Sequence, residues 1–425
     1  MTSVRADART TVRLFVGKGG AGKTTIAAKA ALDAVRSGRR ALIVSFDQAH
    51  SVMDVVDAAD VDAVRGEVVT VADRFDALEL DTLALVESSY RSLAALLAVA
   101  GTGHEHGVRF GGIEPEEVVG APGVQEMLGL HRIVELVDEN AWDTVFVDLP
   151  STADAVRTLQ LPALVSGYVE RLWPRHDRIV AGTGTDPRLT VLVAFLERVV
   201  ANAEAVRELL FDADRTSTTV VVTPERVGVA EARRTLSAAT LMGLDVDTVV
   251  VNKVLPKLNS SSVGLVGAHP AVFWFEGWRA AQQSVLDDIE TVAGDAGLVV
   301  VERSAHEPVG LASLDALVSE DLRPTATGSQ AKAADARERR SGPRVAQESG
   351  SGLESVYTMT MHLPVVDAST LTLGRVEDDV IIGADGVRTR VRLASVLRRC
   401  VVVGADFDDD NLVIRFTPDP NVWPM

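Results

Sequence analysis

Cysteine is nearly absent from this 425-residue sequence, in which Cys400 is the single thiol. One thiol cannot form an intrachain disulfide, a zinc site of the Cys-x-x-Cys type or an iron–sulfur cluster bound by the chain's own thiolates. These classes of protein are excluded, and we expect Cys400 to be a small residue of a hydrophobic core.

Long apolar runs and an excess of positive charge are lacking as well. No window approaches the roughly 20 uninterrupted apolar residues of a membrane-spanning helix, and the N-terminus lacks the apolar core of a signal peptide. Lys and Arg number 42 against 60 Asp and Glu, which gives a formal net charge of −18. This balance argues against a nucleic-acid partner or a polybasic membrane anchor. We therefore expect a cytoplasmic protein without stable membrane insertion.

A glycine-rich segment near the N-terminus is the most specific motif. Residues 17–24 read Gly-Lys-Gly-Gly-Ala-Gly-Lys-Thr, between an apolar run at 12–16 and a segment with helical spacing at 24–35. Strand, glycine-rich loop and helix in this order bind the phosphates of a nucleoside triphosphate, because backbone N–H groups and the helix dipole surround the β-phosphate.

Individual side chains of this segment have distinct predicted roles. Lys23 neutralises charge on the β- and γ-phosphates, the hydroxyl of Thr24 binds Mg²⁺, and the additional lysine, Lys18, contacts phosphate as well. The predicted nucleotide-binding residues of the segment are Gly17, Lys18, Gly19, Gly20, Ala21, Gly22, Lys23, Thr24 and Thr25.

The rest of the N-terminal three quarters alternates between strands and helices. Short, continuously apolar runs typical of buried parallel strands lie at 40–45, 144–148, 219–223, 248–252 and 298–302. With the strand before the glycine-rich loop, this makes at least six strands between residues 12 and 302. The pattern predicts an α/β fold with a doubly wound, mainly parallel sheet. Helical periodicity at about 81–140 and 160–215 predicts a helical subdomain.

Composition changes sharply toward the C-terminus. Residues 322–352 lack large apolar periodicity and have linker composition, and alternating segments after them predict a small all-β sandwich. We therefore predict a flexible N-terminus at 1–11, a nucleotide-binding α/β domain at 12–321, a linker at 322–352 and a β domain at 353–425.

Two aspartates lie at predicted strand ends and are candidates for catalysis. Asp47 follows the strand at 40–45, and Asp148 ends the strand at 144–148. A carboxylate in such a place can orient the attacking water or hold Mg²⁺ through its water shell. We assign the water to Asp47 and the metal to Asp148, while a turn or helix-cap role stays the alternative for Asp47.

One pair of histidines is a weaker candidate for metal binding. His104 and His106 lie in the glycine-rich segment 101–112. Because no third ligand is near them in the sequence, a solvated loop is favoured over a metal site.

The glycine-rich loop with its extra lysine resembles the deviant Walker A loop of SIMIBI-class nucleotide-binding proteins. Further motifs narrow the resemblance to the ArsA-like ATPases, which include ATPases that target tail-anchored membrane proteins. The motifs are Asp47-Gln-Ala-His50, Pro122-Gly-Val-Gln-Glu126, Thr223-Pro-Glu225, Asn252-Lys-Val-Leu-Pro256 and Glu307-Pro-Val-Gly310. They occur in the family's order over about residues 12–314, which makes the match specific.

This resemblance implies a homodimeric ATPase that uses ATP and Mg²⁺. Lys18 is expected to reach the nucleotide of the partner subunit and counts, with Lys23 and Asp47, as a catalytic residue. Asp47 is expected to position the hydrolytic water and to share the metal surroundings with Thr24 and Asp148.

The resemblance also assigns the base and the cargo. Asn252 is expected to hydrogen-bond adenine, and Pro308 belongs to the loop that completes the pocket. The cargo implied is a hydrophobic or membrane-protein segment bound by the helical subdomain.

Two departures from the family pattern leave alternatives open. The second switch reads Asp148-Leu-Pro-Ser-Thr-Ala-Asp-Ala155, without the family's glycine and histidine, so a nucleotide switch with little hydrolysis is one alternative. The energising subunit of an anion or metalloid exporter is another. As(III) needs several thiolates, however, and this chain has one.

The C-terminal segment resembles the small heat-shock, or α-crystallin, sandwich attached to some bacterial ArsA-like proteins. The residues that carry this resemblance lie at 363–367, 371–375, 397–400 and 414–420. Such a sandwich either binds apolar segments or docks on the ATPase, and the sequence favours neither.

Overall fold

The computed structural model describes residues 9–46, 51–58, 65–100, 123–184, 186–258, 269–323, 343–363, 365–408 and 410–423. The N-terminal part is built on one nine-stranded sheet. In chain order its strands are β1 (Thr11–Gly17), β2 (Ala41–Ser45), β3 (Val69–Ala72), β4 (Phe75–Glu79), β5 (Thr144–Ser151), β6 (Thr216–Val222), β7 (Val246–Val254), β8 (Gly297–Glu302) and β9 (Ser319–Arg323). The strand order is β3-β4-β2-β5-β1-β6-β7-β8-β9.

Helices connect the strands and form the layers beside the sheet. They are α1 (Lys23–Arg36), α2 (Val52–Val56), α3 (Thr82–Ala100), α4 (Val124–Asp138), α5 (Thr152–Leu172), α6 (Arg175–Gly182), α7 (Pro187–Phe211), α8 (Arg226–Met242), α9 (Pro270–Ala293) and α10 (Leu311–Asp315). β2 pairs in parallel with β4 and β5, and β7 pairs in parallel with β6 and β8. All five residues of β2 are buried, as expected for a strand covered on both faces. The predicted doubly wound, mainly parallel sheet is confirmed.

Two antiparallel additions at the sheet's edges escaped prediction. β3 and β4 form a hairpin whose turn contains Arg74 at a φ of +62°, and β9 pairs antiparallel with β8. β9 is charged and mostly exposed, so it carries no hydrophobic pattern that predicts a strand.

The chain divides into two compact units. The first contains the described parts of Met1–Leu14, Thr24–Thr216 and Val309–Asp315, and the second those of Phe15–Lys23, Ser217–Pro308 and Ala316–Met425. The first unit includes the helical region, in which α5 and α6 pack against α7 and α3 packs against α4.

A buried arginine holds three of these helices together. Arg178 of α6 is 1% exposed. Its guanidinium donates from Nε to Oε1 of Glu197 at 2.6 Å, from Nη1 to Oε2 of Glu170 at 3.3 Å, and to the carbonyl of Trp173. These contacts fix the short helix α6 between α5 and α7, because a desolvated charge without partners would be strongly unfavourable.

The C-terminal part of the second unit is a two-sheet β domain. Its strands are β10 (Arg344–Ser349), β11 (Val356–His362), β12 (Thr372–Val376), β13 (Asp379–Ala384), β14 (Val387–Arg392), β15 (Cys400–Asp408) and β16 (Asn411–Pro418). One sheet has the order β10-β11-β16-β15 and the other β12-β13-β14. This agrees with the predicted all-β sandwich, and Cys400 is buried in its core as expected.

The linker prediction for 322–352 is wrong in one part. β10 lies inside that range and pairs antiparallel with β11. All six of its residues are exposed, so no face of the strand is buried against a core. The sequence therefore lacks the alternation of apolar and polar residues that predicts a strand. The other domain boundaries stay predictions.

The β domain packs on helix α8. Leu241, near the end of α8, is 2% exposed and belongs to the hydrophobic core of the sandwich, with Met359, Ile382 and Phe416. The buried hydroxyl of Ser237, one turn earlier, donates to Oδ2 of Asp385 at 2.6 Å. The sandwich is therefore docked on helix α8 of its own chain.

Candidate functional site

The glycine-rich loop connects β1 directly to α1, as the sequence predicts. Gly20 and Gly22 have φ values of +80° and +90°, in the left-handed region that favours glycine. A Cβ at Gly17 would collide with the carbonyl oxygen of Val221, and one at Gly22 with the amide of Asn252. The loop therefore requires glycine at these positions for its tight path.

The two lysines of the loop have different environments. Lys23 is buried, and its Nζ lies 3.5 Å from the carbonyl oxygen of Lys18, inside the loop that the chain forms here. The side chain of Lys18 is 57% exposed, with its Nζ 3.8 Å from Oε2 of Glu231 on α8. Lys23 is thus fixed inside the site, whereas Lys18 has room to move toward another partner.

Hydroxyl and carboxylate oxygens meet at the start of α1. The hydroxyl of Thr24 donates to Oδ2 of Asp148 at 2.5 Å and lies 3.2 Å from the hydroxyl of Ser51. Asp148 is fully buried within β5, and its carbonyl accepts a hydrogen bond from the N–H of Phe46 at 2.9 Å.

The oxygen atoms of Thr24 and Asp148 are suitable ligands for Mg²⁺, the metal that the sequence predicts. Mg²⁺ prefers hard oxygen ligands, and a hydroxyl with a nearby carboxylate is the set that phosphate-loop enzymes offer it. Ser51 was missed by the sequence reasoning. Its position directly after the motif at 47–50 was the available signal.

The segment after β6 and the end of β7 border the loop. A cavity of about 270 Å³ is lined by Gly17–Ala21 together with Thr223, Glu225, Glu231, Lys253 and Arg303. Thr223 and Glu225 belong to one of the motifs that carry the family resemblance, and the structure places them beside the phosphate loop. Lys253, Glu231 and Arg303 were not predicted as site residues.

Asn252 contacts the loop itself. Its Nδ2 donates to the carbonyl of Ala21 at 2.9 Å, and its Oδ1 accepts from the N–H of Lys253 at 2.9 Å. The amide thus orders the phosphate loop, and its assignment to adenine stays a prediction.

Other predicted residues lie elsewhere or outside the described chain. Asp47, His104 and His106 lie outside the described residues. Thr25 on α1 and Pro308 are half-buried. Within the described residues, no group of three or more His, Cys, Asp or Glu side chains is arranged to hold a metal ion.

Four features define a P-loop nucleoside triphosphatase. They are a mainly parallel sheet, a glycine-rich loop between β1 and α1, a buried lysine in that loop, and a Thr–Asp pair. The family model described as "Anion-transporting ATPase" (ArsA ATPase) matches residues 10–322, and the model described as "HSP20-like domain found in ArsA" matches residues 354–416. The chain belongs to the ArsA ATPase family and is an ATPase with a C-terminal HSP20-like domain. Both resemblances seen in the sequence are confirmed.

Several similar proteins align with most or all of the chain. "Protein Rv2184c" of Mycobacterium tuberculosis is 42% identical, and the alignment covers 100% of both chains. "Putative arsenical pump-driving ATPase 1" of Aquifex aeolicus is 26% identical over 94% of this chain and 98% of its own. "ATPase get3" of Neurospora crassa is 26% identical over 73% of this chain and 90% of its own.

Membrane-spanning character is absent from the described helices. None of them combines the length and the apolar composition needed to cross a bilayer.

Proposed function

We propose that this ATPase is a Mg²⁺-dependent homodimer that uses ATP to bind and release hydrophobic protein segments. The observation that carries the proposal is an apolar surface on the helical region. Tyr168 and Leu172 lie one turn apart on α5, and Ile179 and Val180 follow on α6; all four are more than half exposed, Leu172 by 82%.

The helix α6, which carries part of this surface, is fixed by buried polar contacts. Arg178, adjacent to Ile179 and Val180, is the buried guanidinium that ties α6 to α5 and α7. Exposed apolar groups on a fixed support are typical of a surface that binds another apolar molecule. The relative "ATPase get3" is an ATPase as well, which is consistent with energy-dependent handling of a cargo.

Nucleotide chemistry is assigned to the loop and its neighbours. Lys23 and the loop N–H groups would hold the phosphates, and Thr24 and Asp148 would hold Mg²⁺, which when bound neutralises charge on the β- and γ-phosphates. Asp47 would orient the attacking water. The cytoplasmic location expected from the sequence stays part of this proposal.

Lys18 supports the dimer part of the proposal. Its ammonium is mostly exposed and, among the described residues, lies 3.8 Å from Oε2 of Glu231, in an ion pair that is worth little in water. Release from Glu231 would free Lys18 to reach a second subunit's nucleotide. Light scattering with and without a non-hydrolysable ATP analogue tests this: the wild type should dimerise with the analogue, and Lys18→Ala should do so more weakly. A monomer under both conditions would contradict it.

Cargo binding is tested with a defined probe, a fluorescent 20-residue Leu/Ala peptide flanked by lysines. We expect Leu172→Asp and Ile179→Asp to weaken its binding at least about tenfold, because each places a charge on the apolar surface. Leu353→Asp, at an exposed position of the β domain, is the matched control and should bind as the wild type does. Equal binding by all four proteins would refute the assignment.

The β domain offers the competing surface. Val401, Val402 and Val403 are exposed on β15, an edge strand of its four-stranded sheet. Edge strands can accept an extended peptide as an added strand. If Val402→Asp, and not Leu172→Asp, abolishes peptide binding, then the cargo belongs to the β domain.

The single cysteine gives little support to the alternative function as the subunit of a metalloid exporter. Cys400 is buried in the β-domain core, and burial raises the pKa of its thiol. Clear stimulation of ATP hydrolysis by arsenite or antimonite would favour an exporter subunit over cargo handling. A steady-state rate unaffected by Asp47→Asn would favour the nucleotide switch with little hydrolysis.

A further inference from the structure

Lys253 adopts a backbone conformation that its residue type disfavours, immediately beside the phosphate loop. Its φ is +67°, in the left-handed region that favours glycine. The pairing of β7 with β8 is irregular between Val251 and Val254, so the strand is distorted where Lys253 lies. A conformation of this kind persists only where surrounding contacts determine it, and such positions cluster at functional sites.

The contacts around Lys253 lead to the phosphate loop. Its Nζ donates to the carbonyl of Gly20 at 2.6 Å. Its backbone N–H donates to Oδ1 of Asn252, whose Nδ2 donates to the carbonyl of Ala21. Two consecutive carbonyls of the loop are therefore held from the end of β7, one by each residue of this pair.

Holding these carbonyls has a direct consequence for phosphate binding. A phosphate loop binds anions through backbone N–H groups that converge on one point. In this loop the N–H of Ala21 donates to the carbonyl of Lys18 at 3.1 Å, and the carbonyls of Gly20 and Ala21 need partners as well if the loop is to keep that shape. Lys253 and Asn252 supply those partners at Gly20 and Ala21, in the middle of the glycine-rich segment.

We propose that Lys253 is a positioning residue for nucleotide binding. Its ammonium fixes the Gly20 peptide so that the loop is already arranged for the triphosphate before ATP arrives. Its left-handed backbone aims the side chain at the loop, and the hydrogen bond that its N–H donates to Oδ1 of Asn252 holds that backbone in place. A charge-assisted hydrogen bond of this kind is stronger than a neutral one, so its loss should be measurable.

Calorimetry of Mg²⁺-ATP binding and steady-state ATPase kinetics test this role. Lys253→Met keeps the apolar stem and removes the donor, and we expect the Kd and KM for ATP to rise about tenfold while kcat changes less than about twofold. Lys253→Arg keeps a donor and should restore binding to within about threefold of the wild type. Lys257→Met removes an exposed lysine from the same segment and is the matched control, expected to bind as the wild type does.

A fourth variant separates the ammonium from the backbone. Lys253→Gly removes the side chain and also relieves the left-handed strain, and we expect it to lose affinity as Lys253→Met does. Three results would overturn the proposal: Lys253→Met binding like Lys257→Met, a fall in kcat with unchanged Kd, or wild-type affinity in Lys253→Gly. Because the proposal presupposes ATP binding, a wild-type protein without affinity for ATP would count against the ATPase assignment instead.

Discussion

Leu241 gives the sharpest test of how the β domain is attached. The side chain belongs to α8 but is 2% exposed within the sandwich core. Leu241→Ala removes about three buried methyl or methylene groups, which costs about 2 kcal/mol in transfer free energy, and the cavity left between helix and sandwich adds about 1 kcal/mol. We therefore expect the variant to be about 3 kcal/mol less stable.

The assay is urea unfolding followed by circular dichroism. Leu353→Ala makes the same chemical change at an exposed position of the β domain and should cost less than about 0.5 kcal/mol. If Leu241→Ala loses no more stability than Leu353→Ala, the sandwich does not pack on α8 in solution and the described docking is refuted.

Three further predictions concern buried groups. Arg178→Ala should lower the unfolding free energy by about 2–4 kcal/mol, because it breaks the guanidinium contacts between α5, α6 and α7, while the exposed Arg175→Ala should not; equal urea midpoints would contradict this. Burial lowers the pKa of His131 below its ordinary value of 6.5, so the unfolded chain binds the proton more readily and stability should fall as the pH is lowered through 6.5; a His131→Gln variant with the same pH dependence would refute the assignment. Burial raises the pKa of Cys400, so the folded protein should react slowly with a thiol reagent at about pH 8 and rapidly in urea; fast reaction of the folded protein would be inconsistent with this.

The sequence was sufficient for the parts of the fold that carry strong local signals. β1, β2 and β5 to β8 are apolar and β-branched because both their faces are buried, and that pattern needs no partner to be recognised. Among the strands that were not predicted, β3 and β4 form the hairpin beside β2, whereas β9 and β10 are polar and exposed. Their existence depends on the edge of a neighbouring strand, which one-dimensional periodicity does not contain.

The candidate site divides in the same way. The glycine-rich loop and the Thr24–Asp148 pair follow from spacing, because strand, loop and helix place them. Ser51 and Lys253 were not found, since their roles depend on contacts with residues distant in sequence. The sequence likewise did not show that the β domain docks through Leu241. An apolar residue near the end of a helix can pack equally well in the core of its own domain or in the core of a neighbouring one.

We propose that the loop at residues 17–25 binds ATP with Mg²⁺ held beside Thr24 and Asp148. Isothermal titration calorimetry of the purified chain with ATP and magnesium tests it most directly, with Lys23→Met as the companion variant. We expect saturable binding by the wild type that weakens at least about a hundredfold in Lys23→Met. No heat of binding by the wild type, or equal affinity in both proteins, would contradict it.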